Sequence, residues 1–298
     1  MLGNMNKKTV LVASSTGQVG SEVRHIAAQY PDFKLTFKDR KGMDLTSKDS
    51  IRSALENHPY DFLINAAAYT AVDNAETNVR TARQVNSTAL NYISQYASKR
   101  TKIVHISTDY VYHNDPNRPL KETDKVMPKG IYAQTKLEGE QKLLERRPDS
   151  LIMRTSWVYS SYGNNFVKTM LRLGKKMDSL NIVADQYGTP TYARDIANTL
   201  MTIIKNRDLE TISSIPHNGI FNYSNLGLTN WADFAREIFK QAKIKCSVGE
   251  TTTAAYGAPA PRPLWSMMSK VKIQQAFHLN IPQWQQSLRK CLLELGYK

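Results

Sequence analysis

Tyr132 and Lys136 stand four residues apart in the stretch Tyr-Ala-Gln-Thr-Lys. On a helix that spacing puts both side chains on one face. A free phenol titrates at about 10, too high for efficient proton exchange near neutrality. A nearby ammonium stabilises the phenolate and lowers that value, so the pair is a candidate acid–base unit. Tyr–Lys pairs also occur on ordinary helix surfaces, and here the context decides. Upstream, the apolar run Lys102–Ser107 leads into Ser107-Thr108-Asp109-Tyr110. Thr108, at the C-terminal end of that predicted strand, would face a cleft and offer its hydroxyl to a substrate carbonyl beside Tyr132. Ligands of doubly wound sheets sit at that edge.

A second motif follows the first apolar run, Thr9–Ala13. It reads Ser14-Ser15-Thr16-Gly17-Gln18-Val19-Gly20. Dinucleotide-binding turns carry three glycines, which allow a tight turn, close approach of the pyrophosphate and packing of helix on sheet. Gly17 and Gly20 supply the last two. Ser14 replaces the first and needs a negative φ or tolerable strain. The following helix N-terminus would offer N–H donors to phosphates. About 20 residues on, where an acid accepts from the ribose 2′-hydroxyl, stands Asp39. Arg40 and Lys41 follow it and suit a 2′-phosphate. These signals favour NADH and NADPH respectively, and both stay open. Asp44 and Leu45 fall where the adenine edge would lie, or simply in a helix N-cap region. Ala66, Ala67 and Ala68, after the apolar run Phe62–Ala66, are small enough to let a ribose approach.

The elements that must carry these motifs alternate in type. Short apolar runs at Thr9–Ala13, Lys34–Phe37, Phe62–Ala66, Lys102–Ser107 and Ser150–Thr155 read as strands. Between them, Gly17–Tyr30, Ser50–Glu56, Thr81–Ser98 and Gly130–Arg146 read as helices. That alternation predicts α/β architecture, a Rossmann-like doubly wound parallel sheet. The later chain has fewer clean strands and more Pro, Trp and Asn. The expected division is a dinucleotide-binding domain over 8–160, with 190–223 returning to it, and a smaller C-terminal substrate-binding lobe from 161–189 and 224–298.

The chain has 298 residues, 41% hydrophobic and 22% charged, ample for a globular core. No apolar run approaches the ~20 residues of a membrane span, and Met1–Lys8 lacks the apolar segment of a signal peptide. Two cysteines, Cys246 and Cys291, make neither a disulfide framework nor a metal cluster. A reducing cytoplasm is the expected compartment. The net charge of +14 raises the question of nucleic acid. Its lysines and arginines are scattered, so no nucleic-acid partner and no membrane are expected.

In this order, the glycine turn, the Asn65-Ala-Ala-Ala68 block, Thr108 and Tyr132/Lys136 resemble the extended short-chain dehydrogenase/reductase superfamily. Five blocks narrow the resemblance to dTDP-4-dehydrorhamnose reductases: Asn65–Glu76, Ser107–Tyr112, Arg154–Tyr159, Gly163–Leu171 and Asp185–Ala193. The resemblance spans Lys8 to Leu295. It implies reduction, by NADPH or NADH, of the 4-keto group of a dTDP-linked 4-keto-6-deoxy sugar, dTDP-4-dehydro-β-L-rhamnose. It further implies that Tyr132 gives the proton and that Lys136 binds the nicotinamide ribose. Thr108 would fix the keto group, Asp109 and Tyr110 would border the sugar, and Trp157 would stack on it. Asn165 and Arg262 would lie near the dTDP moiety. Some family members dimerise through magnesium held by two carboxylates. Glu22 matches one, but Arg194 takes the second position, so no metal is expected. A Glu22–Arg194 pair bridging a homodimer is one reading, and a monomer is equally compatible. The alternatives are a reductase or epimerase for another such sugar, or a non-catalytic regulatory subunit.

Overall fold

The computed structural model describes residues 7–114, 117–205 and 219–298. Strand Lys8–Ala13 (β1) points Val10 and Val12 to one side of a sheet and Leu11 and Ala13 to the other, as a period of two requires. Both sides are buried, which is why the strand reads as a continuous apolar run. The same holds for Phe62–Asn65 (β3), Lys102–Thr108 (β4) and Leu151–Thr155 (β5). Phe33–Lys38 (β2) forms one edge and the short strand Ile220–Asn222 the other. All pairings in this sheet are parallel, and the strand order from the β2 edge is β2, β1, β3, β4, β5, then Ile220–Asn222. The order reverses between β1 and β3. That is the switch point where a crevice opens at the C-terminal strand ends.

One face is covered by helix Gln18–Ile26 (α1) and by Ala193–Lys205, through Val19, Val23, Ile196, Leu200 and Ile204. The other face is covered by Lys48–Leu55, Ala89–Tyr96 and Gly130–Arg146, through Ile51, Leu90, Ile93 and Leu143. The predicted helix over 81–98 begins at Val79 and carries a wide π turn at Gln84–Thr88. Asn86 in that turn accepts from the Tyr69 N–H and donates to the Thr135 hydroxyl. A Cβ at Gly139 would overlap the Asn86 carbonyl, so glycine there lets the Gly130–Arg146 helix approach.

The smaller lobe has its own core. Helices Phe166–Gly174, Trp231–Ala242 and Trp284–Glu294 bury Met170, Phe234, Ile238 and Leu288 around Tyr159 and Tyr192. A two-strand parallel ribbon, Ser179–Val183 with Ser247–Thr251, flanks them. Helix Val271–Phe277 instead sends Ile273 and Phe277 into the core beneath the main sheet. Of the expected return segment 190–223, residues 206–218 lie outside the described residues. Residues 1–6 of the N-terminal segment lie outside them as well.

Glu22 and Arg194 correct one expectation. They form an ion pair within a single chain, not across two copies, because α1 packs along Ala193–Lys205. The fully buried Glu22 carboxylate also accepts from the Ser160 hydroxyl at 2.6 Å. Among the described residues, no helix is long and apolar enough to cross a membrane.

Candidate active site

Past β1 the chain turns at Ser14, whose φ is +63°. The strained alternative therefore holds at this position: a serine sits in the left-handed region that glycine occupies at low cost. Its carbonyl accepts from the Gly17 N–H at 3.0 Å. A Cβ on Gly17 would lie 2.8 Å from the Ser14 Oγ, and one on Gly20 would overlap the Ser14 carbonyl. Gly17 caps α1 with no side chain bonded to the helix end, so free N–H groups face the crevice.

Two cavities meet at this turn. One, of about 250 Å³, is lined by Ser14, Thr16, Asp39, Arg40, Asp44, Leu45, Ala67 and Ala68, among others. Asp39 accepts from the N–H groups of Lys41 and Gly42 at 3.0 and 3.1 Å, and Arg40 lies 3.5 Å from Asp44. The other cavity, of about 590 Å³, runs from Ser14, Gly17, Gln18 and Val19 past Ala66 to Thr108, Tyr132 and Lys136. A bare helix N-terminus, two glycines that admit no Cβ and a crevice across the switch point fit an extended dinucleotide. Gly20 does not line either cavity; it serves helix packing.

At the far end, Thr108 closes β4. Its hydroxyl lies 3.1 Å from the Asp109 carboxylate and accepts from the Tyr110 N–H at 3.2 Å. Tyr132 meets Tyr110 edge-on, with ring centroids 5.6 Å apart. Burial pushes the Tyr132 phenol up to about 12, and the Thr108 hydroxyl pulls the other way. Burial likewise raises Asp109 to about 6, against hydrogen bonds from Ser266 and Thr108. Lys136 does not prime the phenol in this state, which corrects the expectation from spacing. Its Nζ is spent on the Ile106 carbonyl at 2.7 Å and on His105 Nε2 at 3.1 Å. Burial lowers Lys136 to about 8, while Glu140 one turn on works to raise it.

The outer wall departs further from expectation. Trp157 lines the cavity, but one indole face is already stacked on Trp231, at 3.7 Å and 13°. Asn165 also lines it, yet its side chain caps the Phe166–Gly174 helix and donates to Gln18 Oε1 and the Ser160 carbonyl. Arg262 is absent from the cavity walls. Its guanidinium forks onto Asp73 at 2.7 and 2.8 Å, leaving an anion little of it to bind. Sequence reasoning missed His105, Thr155 and Trp231. A histidine inside the otherwise apolar β4 run was the one visible signal for His105.

This sheet, its glycine turn and the Thr108–Tyr132–Lys136 cluster at the strand ends define an extended short-chain dehydrogenase/reductase. A family model described as the RmlD substrate binding domain matches residues 8–296. A dTDP-4-dehydrorhamnose reductase of Aggregatibacter actinomycetemcomitans is 38% identical, over 94% of this chain and 97% of its own. The chain belongs to the dTDP-4-dehydrorhamnose reductase family. Among solved structures, the dTDP-4-dehydrorhamnose reductase of Clostridium acetobutylicum superposes with a TM-score of 0.90 at 32% identity, covering 97% of this chain and 99% of that one. The Bacillus anthracis enzyme, solved in complex with NADP, gives a TM-score of 0.87 at 32% identity, with the same coverage.

Proposed function

We infer that this chain reduces the 4-keto group of dTDP-4-dehydro-β-L-rhamnose to give dTDP-L-rhamnose, using a reduced nicotinamide dinucleotide. One observation carries the reading: a Thr–Tyr pair and a buried lysine lie at the far end of a crevice that starts at a glycine turn. The chain matches reductases of that name over nearly its full length. The NADP held by the Bacillus anthracis relative supports the same class of cofactor here.

Gly17 and the α1 N-terminus hold the pyrophosphate, Ala66 and Ala68 border the ribose on the nicotinamide side, and Ala67 lies on the adenosine side. The smaller cavity takes the adenosine, with Asp39 and Arg40 at its ribose. When bound, the reduced nicotinamide supplies a hydride to the C4 carbon. Thr108 donates to the C4 oxygen and orients it. Tyr132 gives its phenolic proton to that oxygen as negative charge develops there. A phenol raised by burial is a reluctant acid, so the developing alkoxide must lie within hydrogen-bond reach of it. Lys136 donates to the ribose hydroxyls beside Tyr132. Asp109, Tyr110 and Trp157 border the sugar, and Asn165 shapes the outer wall through its cap.

The division of labour we propose is a dinucleotide-binding part over 8–160 with 190–223, and a substrate-binding lobe from 161–189 and 224–298. The test is turnover: dTDP-4-dehydro-β-L-rhamnose formed in situ, NADPH or NADH followed at 340 nm, and the product identified by NMR. Formation of dTDP-L-rhamnose supports the reading. Failure with both cofactors, or a product epimeric at C4, overturns it.

A further inference from the structure

Asn65 and His105 face each other across paired strands, in register on β3 and β4. Asn65, His105 and Lys136 are all buried, with at most 1% of their surface exposed. Such groups are matched donor to acceptor with their neighbours. The Ala67 N–H donates to Asn65 Oδ1 at 3.1 Å, which fixes the amide orientation. Asn65 Nδ2 therefore donates to His105 Nδ1, 3.1 Å away. Nδ1 must carry a lone pair, so the neutral ring carries its proton on Nε2. That proton points at Lys136 Nζ, 3.1 Å away. An amine nitrogen accepts a hydrogen bond only when it is uncharged. Its own hydrogens remain for the Ile106 carbonyl at 2.7 Å.

We propose that Asn65, acting through the tautomer of His105, favours the uncharged amine of Lys136 in the free protein. Asn65 and His105 are then positioning residues for the reaction inferred above, and neither touches the substrate. Charging the amine takes one proton from solvent. It also requires the His105 proton to leave Nε2 and a proton to occupy Nδ1, with the Asn65 amide reversed to accept it. The reversal turns the amide donors toward the Ala67 N–H and breaks its hydrogen bond, which opposes it.

The surrounding charges do not account for this arrangement. Glu140, on the same helix, favours the charged form of Lys136. Its carboxylate is held by Arg154 from β5, at 2.6 and 3.0 Å. Tyr132 and Asp109 face the site from their own elements; burial keeps the proton on Tyr132 and raises Asp109 only to about 6, and a charged carboxylate there would favour the ammonium as well. The His105 imidazole is held neutral by burial.

The proposal rests on the reductase reading only for its catalytic consequence, since the protonation state is read without cofactor or substrate. The experiment is an NMR titration of the cofactor-free protein with 13C-labelled lysine, following the Cε shift of Lys136. Lys270, a buried lysine also lowered to about 8 but by burial alone, is the internal reference. His105→Gln keeps the burial and replaces the ring with a carbonyl oxygen that accepts from Asn65 and from an ammonium alike. It should raise the Lys136 midpoint by one pH unit or more and leave Lys270 in place. Asn65→Asp should shift it the same way, through acceptance of an Nδ1 proton as well as through its charge. An ordinary lysine midpoint in the wild type overturns the proposal. So does a His105→Gln midpoint that stays at the wild-type value, because burial alone would then explain the amine. Neither result bears on the reductase reading, which is tested by turnover of the wild type.

Discussion

The Arg194 guanidinium neutralises Glu22, a carboxylate with no exposed surface, inside one chain. The pair ties α1, whose N-terminus lines the crevice at the strand ends, to the helix Ala193–Lys205 behind it. Arg194→Met should cost about 3–5 kcal/mol, the usual penalty for stranding one member of a buried ion pair. Adding Glu22→Gln should recover part of that loss. Urea denaturation of the two variants checks this. The oligomeric state by sedimentation should not change in either, because the pair lies within one chain.

The turn at Ser14 gives a prediction of opposite sign. Its left-handed φ of +63° suits glycine. Ser14→Gly should stabilise the turn by about 1 kcal/mol, less the entropy glycine adds to the unfolded chain. Gly20→Ala should be poorly tolerated, because the new Cβ would overlap the Ser14 carbonyl. Thermal melts with and without NADPH report both, and the NADPH-dependent shift should vanish in Gly20→Ala.

Two buried groups set opposed pH dependences of stability. Lys136 titrates at about 8 in the fold against 10.5 for a free lysine. Between those values the unfolded chain holds more protons, so stability rises with pH. Lys136→Met should flatten that part of the profile while removing activity. Asp109 titrates at about 6 against 3.8. Between those values the folded chain holds more protons, so stability falls as pH rises. Asp109→Asn should flatten that part of the profile. Melting temperatures across pH 4–10 for the three proteins check the signs.

The stacked indoles of Trp157 and Trp231 make a wall of the cleft. An aromatic pair is worth roughly 0.5–1.5 kcal/mol beyond its buried area. Trp231→Ala should loosen Trp157 and raise KM for the sugar nucleotide by about two- to tenfold, with a smaller change in kcat. Steady-state kinetics at saturating NADPH separates the two parameters.

Local patterns were legible before the fold was seen. The four-residue spacing of Tyr132 and Lys136 and the strand end at Thr108 put all three beside one cavity. Relations that depend on distant partners were not legible. Arg262 reads as an anion binder until Asp73, 189 positions away, fills its guanidinium fork. His105 acquires a role only through strand register with Asn65, and Trp231 only through its stack on Trp157. The lobe strands Tyr187–Gly188 and Thr229–Asn230 are two residues each, too short for any periodicity to mark.

The central claim is that the Tyr132 phenol delivers the proton to the C4 oxygen. Tyr132→Phe removes that hydroxyl and keeps the ring against Tyr110. With dTDP-4-dehydro-β-L-rhamnose and NADPH, kcat for the variant should fall by about 10²–10⁴, the scale for losing a general acid. NADPH affinity, read by fluorescence titration, should hold within a few-fold. A variant that turns over at the wild-type rate would contradict the assignment.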